Sequence, residues 1–191
     1  MKRIGILGGT FNPIHIGHLA IAQWTHEKLK LDKVIFVPTS LPPHKSSRGV
    51  IDAKTRYKMV ELAIEDNPHF EVSDFEIKKG GKSYSIATIR YFSEKFTKNT
   101  KLYFIIGEDC LSTLHKWKDV KELNSLASFA VVNRPGVKPC KPKIAVRSIF
   151  MPGIDISSSY VRKCSTAHKT FKYFLPEKVE KYIKRNKLYK G

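Results

Sequence analysis

Short apolar runs alternate with longer amphipathic stretches along the chain. Ile4 to Leu7 is apolar and is closed by Gly8-Gly9, which predicts a buried strand entering a tight turn. Leu19, Ala22, Trp24 and Leu29 then recur at helical spacing among polar residues, predicting a helix over about 17–31. Val34 to Val37 is a second apolar run, stopped by Pro38. Strand, helix and strand within about 35 residues make one βαβ unit with parallel strands.

The same alternation continues. Residues 38–51 read as a Pro-, Lys- and Ser-rich loop, and Asp52 is placed to cap a helix running to about Asp66. Phe70 to Ile77 reads as a strand, and Lys78 to Lys82 as a turn. Ser85 begins a helix carrying Ile86, Ile89, Phe92 and Phe96. Leu102 to Ile106 is a buried strand closed by Gly107, followed by a helical pair over about 109–127 and a strand from Phe129 to Val132. Residues 135–145 are a Pro- and Lys-rich connection; Arg147 to Met151 is a last strand, and 157–163 and 176–186 are helices. This order predicts one α/β domain over residues 1–191. Its sheet is doubly wound and mostly parallel, with a small C-terminal helical part and ligands at the carboxyl ends of the strands.

Composition narrows the class. The chain has 191 residues, 41% hydrophobic and 27% charged, which suits a single globular core without disulfides or metal. Lys and Arg number 35 against 17 Asp and Glu, a net charge of +18. Such an excess suits an anionic partner (phosphate ligand, nucleic acid or membrane surface) or is a solvated basic face. Cys110, Cys140 and Cys164 have neither disulfide nor zinc spacing, so no metal site is expected and a reduced compartment fits. No apolar run reaches the length of a membrane span, and the charged start reads as a first strand rather than a signal peptide. The expectation is a cytoplasmic protein.

Two motifs carry chemistry. Gly8-Gly9-Thr10-Phe11-Asn12-Pro13-Ile14-His15-Ile16-Gly17-His18 joins the first strand to the first helix. Glycines there let backbone N–H groups approach a phosphate, and a helix N-terminus favours an anion. His15 and His18 are three apart, hence on one face of a turn, where two imidazoles can donate to phosphate oxygens. The alternative is a capping histidine beside a core one. The motif is neither a dinucleotide fingerprint nor a Walker loop. The second motif, Ile156-Ser157-Ser158-Ser159-Tyr160-Val161-Arg162, sets hydroxyls at a helix start with an arginine one turn on. Read alone, it is a helix cap.

Together the two motifs resemble the nucleotidyltransferases with a His-x-Gly-His signature. Within them the chain is similar to the bacterial nicotinate-nucleotide adenylyltransferases. The likeness runs through Pro42-Pro43-His44-Lys45, Ser83-Tyr84-Ser85, Ile106-Gly107-Glu108-Asp109, Lys116-Trp117, Arg134-Pro135-Gly136 and the tail from Leu175 to Tyr189. It implies a Rossmann-like nucleotidyltransferase fold and transfer of AMP from ATP to nicotinic acid mononucleotide, making deamido-NAD. Gly8, Gly9, Thr10, Phe11, His15 and His18 would hold the ATP phosphates, with Ile156, Ser157, Ser158 and Arg162 closing over them. His15, His18 and Arg162 would be catalytic, supplying charge to the reacting phosphates. Gly107 and Asp109 would contact adenosine. Lys45, Ser83, Tyr84, Ser85, Trp117 and Arg134 would line the mononucleotide side, with Trp117 stacking on the pyridine ring. Mg²⁺ would arrive on the ATP phosphates, with no protein ligand named for it.

Three positions depart from the family's pattern: Asn12 where Asp is common, Ser85 where Thr is usual, and Glu108 as an added acid beside Asp109. Rival readings are transfer to nicotinamide mononucleotide or another phosphate acceptor, and a basic nucleic-acid-binding domain. The basic residues are scattered and form no recognition motif, so no nucleic acid or membrane partner is expected. Homo-oligomerisation is left open.

Overall fold

The computed structural model describes residues 1–42, 49–136 and 140–190. Six strands form one parallel sheet in the order β3-β2-β1-β4-β5-β6: β1 (Lys2–Gly9), β2 (Lys33–Pro38), β3 (Phe70–Val72), β4 (Thr100–Gly107), β5 (Ser128–Val132) and β6 (Val146–Ile149). The sheet was expected to be mostly parallel; every described pairing in it is parallel.

Alternation of side chains divides the interior between two faces. Phe36, Tyr103, Ile105 and Val132 point to one face, against α1 (Ile16–Leu29), α2 (Ala53–Ile64), α7 (Ser158–Thr166) and α8 (Glu177–Arg185). Their neighbours Ile35, Val37, Phe104, Ile106 and Val131 point to the other. There they meet α4 (Ser85–Lys95), α5 (Leu111–Leu114) and α6 (Val120–Leu126). Each fully buried side chain of this size contributes about 1.5–3 kcal/mol. Gly5 in β1 permits close approach: a Cβ there would lie 2.7 Å from Leu31 Cδ1 and 2.9 Å from Ile105 Cδ1. The C-terminal helices are part of this core, since Val161, Val179 and Ile183 are buried with Met59 and Val60 of α2.

Caps fall where the sequence places them. The Asp52 side chain accepts from the Thr55 N–H at 2.8 Å and starts α2. Ser157 accepts from the Tyr160 N–H at 3.2 Å and starts α7. One element differs. The run from Phe70 to Ile77 stays extended only to Val72; the chain then turns into the short helix α3 (Phe75–Lys79). Ser73-Asp74 interrupts the alternation, Ser73 Oγ accepts from the Phe75 N–H at 3.3 Å, and Lys78 pairs with Asp74 at 2.9 Å. Gly80 ends the helix at a φ of 70°, a conformation cheap only for glycine. The helical pair expected over 109–127 is a 3₁₀ turn, Glu108–Cys110, followed by α5 and α6.

Candidate active site

The strand order reverses direction between β1 and β4. The chain leaves β1 towards β2 on one side and leaves β4 towards β5 on the other, so a cleft opens at their carboxyl ends. A cavity of about 370 Å³ occupies this place. Gly8, Gly9, Thr10, His15 and His18 line it. Ser83, Tyr84, Ser85 and Trp117 line the cavity too, as do Gly107, Asp109, Arg134 and Ile156. Lys45 lies outside the described residues.

The glycine turn owes its shape to its own side chains. Phe11 has a φ of 46° and is 2% exposed; a Cβ on Gly9 would sit 2.8 Å from its ring. The Phe11 ring supports His18 edge-on at 5.0 Å. His15 precedes α1 in extended conformation, and its ring lies 3.7 Å from that of His18. Gly17 makes this stacking fit, because a Cβ there would come within 3.0 Å of His15 Nδ1. The His15 backbone N–H donates to His18 Nδ1 at 3.2 Å, so that nitrogen is the acceptor and the ring proton belongs on Nε2. His15 is buried, and its Nδ1 has no hydrogen-bond partner among the described residues. Burial, and secondarily the Arg134 charge, lower its pKa to about 4. His15 is therefore neutral at pH 7.

The second motif closes on the first across most of the chain. Ser158 Oγ donates to Pro13 O at 2.8 Å, and Arg162 Nη1 donates to Asn12 O at 2.7 Å. Arg162 Nη2 also reaches Ser159 Oγ at 3.1 Å. Ser158 and Arg162 thus brace the turn, and Ser157 caps α7; these three are half-buried and, with Phe11, fall outside the residues that line the cavity. Asn12 is 4% exposed and is used at both ends of its amide. Nδ2 donates to Gly49 O at 2.9 Å, while Oδ1 accepts from the Tyr189 hydroxyl at 2.9 Å and the Ile51 N–H at 3.4 Å. A carboxylate could accept the same bonds but could not donate to Gly49.

The segments after β4 and β5 gather charge. Arg134 Nη1 lies 3.4 Å from Asp109 Oδ2, and its backbone N–H donates to Glu108 Oε2 at 3.4 Å. Glu108 thus serves the Arg134 segment. Gly107 leaves room for Asp109, whose carboxylate would come within 2.4 Å of a Cβ there. Trp117 meets Phe104 edge-on at 6.2 Å, and Lys118 Nζ sits 5.0 Å over the Tyr84 ring. Ser83 Oγ accepts from the Ser40 N–H at 2.9 Å.

Two residues escaped the sequence reading. Glu76 on α3 is 6% exposed and borders the cavity; burial raises its pKa, and the Thr88 hydroxyl donates to Oε1. Arg56 on α2 is 1% exposed and donates to four carbonyl oxygens. Arg56 shares a helical stripe with Met59, Val60 and Ala63, and a charge on the apolar stripe was the signal available.

A cytidylyltransferase-like family model matches residues 6–164. A protein of Clostridium tetani named probable nicotinate-nucleotide adenylyltransferase is 42% identical, covering 100% of both chains. A namesake from Thermoanaerobacter is 43% identical over 98% of this chain and 94% of its own. The chain belongs to the nicotinate-nucleotide adenylyltransferase family. The Plasmodium falciparum nicotinic acid mononucleotide adenylyltransferase solved with NaAD shares the fold of this family member, with a TM-score of 0.83 at 21% identity over 99% and 98% of the two chains. The same parasite enzyme solved with APC gives 0.77 at 19% identity over 99% and 98%. Among the described residues, no helix is long and apolar enough to cross a membrane, and no three His, Cys, Asp or Glu side chains are grouped to hold a metal ion.

Proposed function

We propose that this chain transfers the adenylyl group of ATP to nicotinic acid mononucleotide, giving deamido-NAD and pyrophosphate. The observation that carries the reading is identity above 40% along the full chain with proteins named for that activity. The parasite enzyme of like fold was solved with NaAD, the product class proposed here.

In this reaction a 5′-phosphate oxygen of the mononucleotide bonds to the α-phosphorus of ATP. The bond from that phosphorus to the bridging oxygen breaks, and pyrophosphate leaves with the electron pair. The attacking phosphate is already anionic near pH 7, so no general base is required. The residues' task is positioning and stabilisation of charge on the α-phosphate and leaving group. His15, with its pKa near 4, enters as a neutral imidazole, and His18 offers Nε2–H as a donor. The positive charge comes instead from Arg134, which lines the cavity, and from Arg162 beside the turn. Arg162 uses Nη1 and Nη2 to hold the turn, and its remaining N–H groups suit phosphate oxygens.

At the mononucleotide end Trp117 offers its face to the pyridine ring. Ser83 already donates its N–H to Leu41 O, so the donors for the nicotinate carboxylate are the Tyr84 and Ser85 N–H groups that open α4. Mg²⁺ suits this donor set as a passenger of the triphosphate. Of the acids lining the cleft, Asp109 is engaged by Arg134, while Glu76 accepts from the Thr88 hydroxyl and is held towards its neutral form by burial; Mg²⁺ keeps phosphate and water ligands readily. When bound it neutralises phosphate charge.

Pyrophosphate release from ATP, measured with the acid mononucleotide and then the amide, tests the proposal. Release at least tenfold faster with the acid is expected. Equal rates overturn the acceptor assignment, and no release with either overturns adenylyl transfer.

A further inference from the structure

Arg56 is a buried cation without an ion-pair partner among the described residues. Its Nε donates to Ile51 O at 3.0 Å, Nη1 to Thr10 O at 2.7 Å, and Nη2 to Thr39 O at 2.6 Å and Ser40 O at 3.1 Å. Thr10 belongs to the glycine turn after β1. Thr39 and Ser40 belong to the loop after β2. Thr10 and Thr39 both line the cleft, so one rigid planar group behind the wall ties together two segments that face the ligand.

The second segment leads onward. The Ser40 N–H donates to Ser83 Oγ at 2.9 Å, and the Ser83 N–H donates to Leu41 O at 3.0 Å. Leu41 and Lys82 also form a parallel bridge. A continuous hydrogen-bonded path therefore runs from the glycine turn, through the Arg56 guanidinium and the β2 loop, to Ser83-Tyr84-Ser85. The first end is the ATP side of the cleft and the second the mononucleotide side.

The chemistry of such a turn explains why the tie is an arginine. A loop that turns N–H groups towards an anion turns carbonyl oxygens away from it, and buried carbonyls need donors. A guanidinium supplies five N–H groups in a fixed plane, whereas a lysine supplies three on a flexible stem. Burying a charge with no directly paired counter-ion is costly, and carbonyl dipoles, with Asp52 and Glu76 acting at longer range, offset that cost here. A cation on a peptide carbonyl also polarises its hydrogen-bonded chain, strengthening the donors at the far side.

We propose that Arg56 is a positioning residue that sets the two substrate halves of the cleft against each other, so that ordering of one side by its ligand is felt by the other. The proposal rests on the adenylyl-transfer reading. Transfer needs the attacking oxygen and the α-phosphorus within about 3–3.5 Å and in line. Misalignment of the two loops therefore falls on kcat more than on the binding of either substrate alone.

The test is Arg56→Lys, which keeps the charge and removes the fork. With the folded fraction fixed by circular dichroism, kcat is expected to fall about 30-fold or more while both KM values stay within about threefold. A folded variant with kcat within threefold of wild type overturns the proposal, as does a loss confined to one KM. A wild type that releases no pyrophosphate overturns the reading beneath it instead. Wild-type protein supplies a second measurement that does not depend on the variant folding. Hydrogen exchange with a non-hydrolysable ATP analogue alone is expected to slow amides of residues 39–41 and 83–85 as well as 10–16. Slowing confined to 10–16 overturns the coupling.

Discussion

The Tyr189 hydroxyl donates to Asn12 Oδ1 at 2.9 Å, fastening the segment after α8 to the glycine turn after β1. Burial holds the Tyr189 phenol well above its ordinary pKa, so it is a donor at every working pH. Tyr189→Phe removes the donor and leaves the amide oxygen with the longer bond from Ile51. The expected loss is about 1 kcal/mol, a fall of roughly 2–4 °C in Tm for a chain of this size. KM for ATP should rise while KM for the mononucleotide holds. Thermal melts and initial rates check this, and an unchanged Tm with unchanged KM would show the bond to be idle.

His18→Ala should lower kcat by about 100-fold or more and leave the circular dichroism spectrum intact. Losing one preorganised donor to transition-state charge costs roughly 3–4 kcal/mol. The measurement is kcat with both substrates saturating. A drop under threefold would remove His18 from the chemistry.

His15 gives a pH signature in stability. Its folded pKa, about 4, lies below the ordinary value of 6.5, so the unfolded chain takes up the proton first. Stability is unaffected above about pH 6.5 and falls as the pH drops towards 4, by up to about 3 kcal/mol from this group. His15→Gln should flatten that part of the profile. Denaturant melts of both proteins at pH 7 and pH 5 decide it; parallel losses in the two would refute the assignment.

Trp117→Ala should raise KM for the mononucleotide and spare KM for ATP, because the proposed role of the indole, held edge-on by Phe104, is to stack on the pyridine ring. Some preference for acid over amide should survive, since the Tyr84 and Ser85 backbone donors remain. Leaving such donors unpaired against an amide costs about 1–3 kcal/mol each. The check is kcat/KM for both mononucleotides at saturating ATP. An equal rise in both KM values would mean that Trp117 is structural.

Local chemistry made much of this legible in sequence. Asp52 and Ser157 cap helices because their side chains reach an N–H three residues on, and the apolar runs become strands because both sheet faces are covered. Phe70 to Ile77 misled because its alternation spans a break at Ser73-Asp74, where short polar side chains favour a turn. Arg56 and Glu76 are hard to read as site residues because a charge in an amphipathic stretch ordinarily faces water, and only the place of Arg56 on the apolar stripe of α2 marks it. The bracing of Asn12 and Pro13 by Arg162 and Ser158 joins residues about 150 apart in sequence, and no local pattern encodes such a pairing.

The central place of β1 has a consequence for the order of assembly. Residues 4–9 pair on one side with β2, which follows soon in the chain, and residues 2–7 pair on the other with residues 100–105. While the chain is being made, the β3-β2-β1 half exists long before its second partner. Throughout that interval Ile4 to Leu7 presents an apolar strand edge with unpaired backbone groups, a template for other chains. The reversal of strand order that opens the ligand cleft in the finished molecule is thus also its most vulnerable seam during synthesis, and slow translation between residues 72 and 100 would lengthen the exposure.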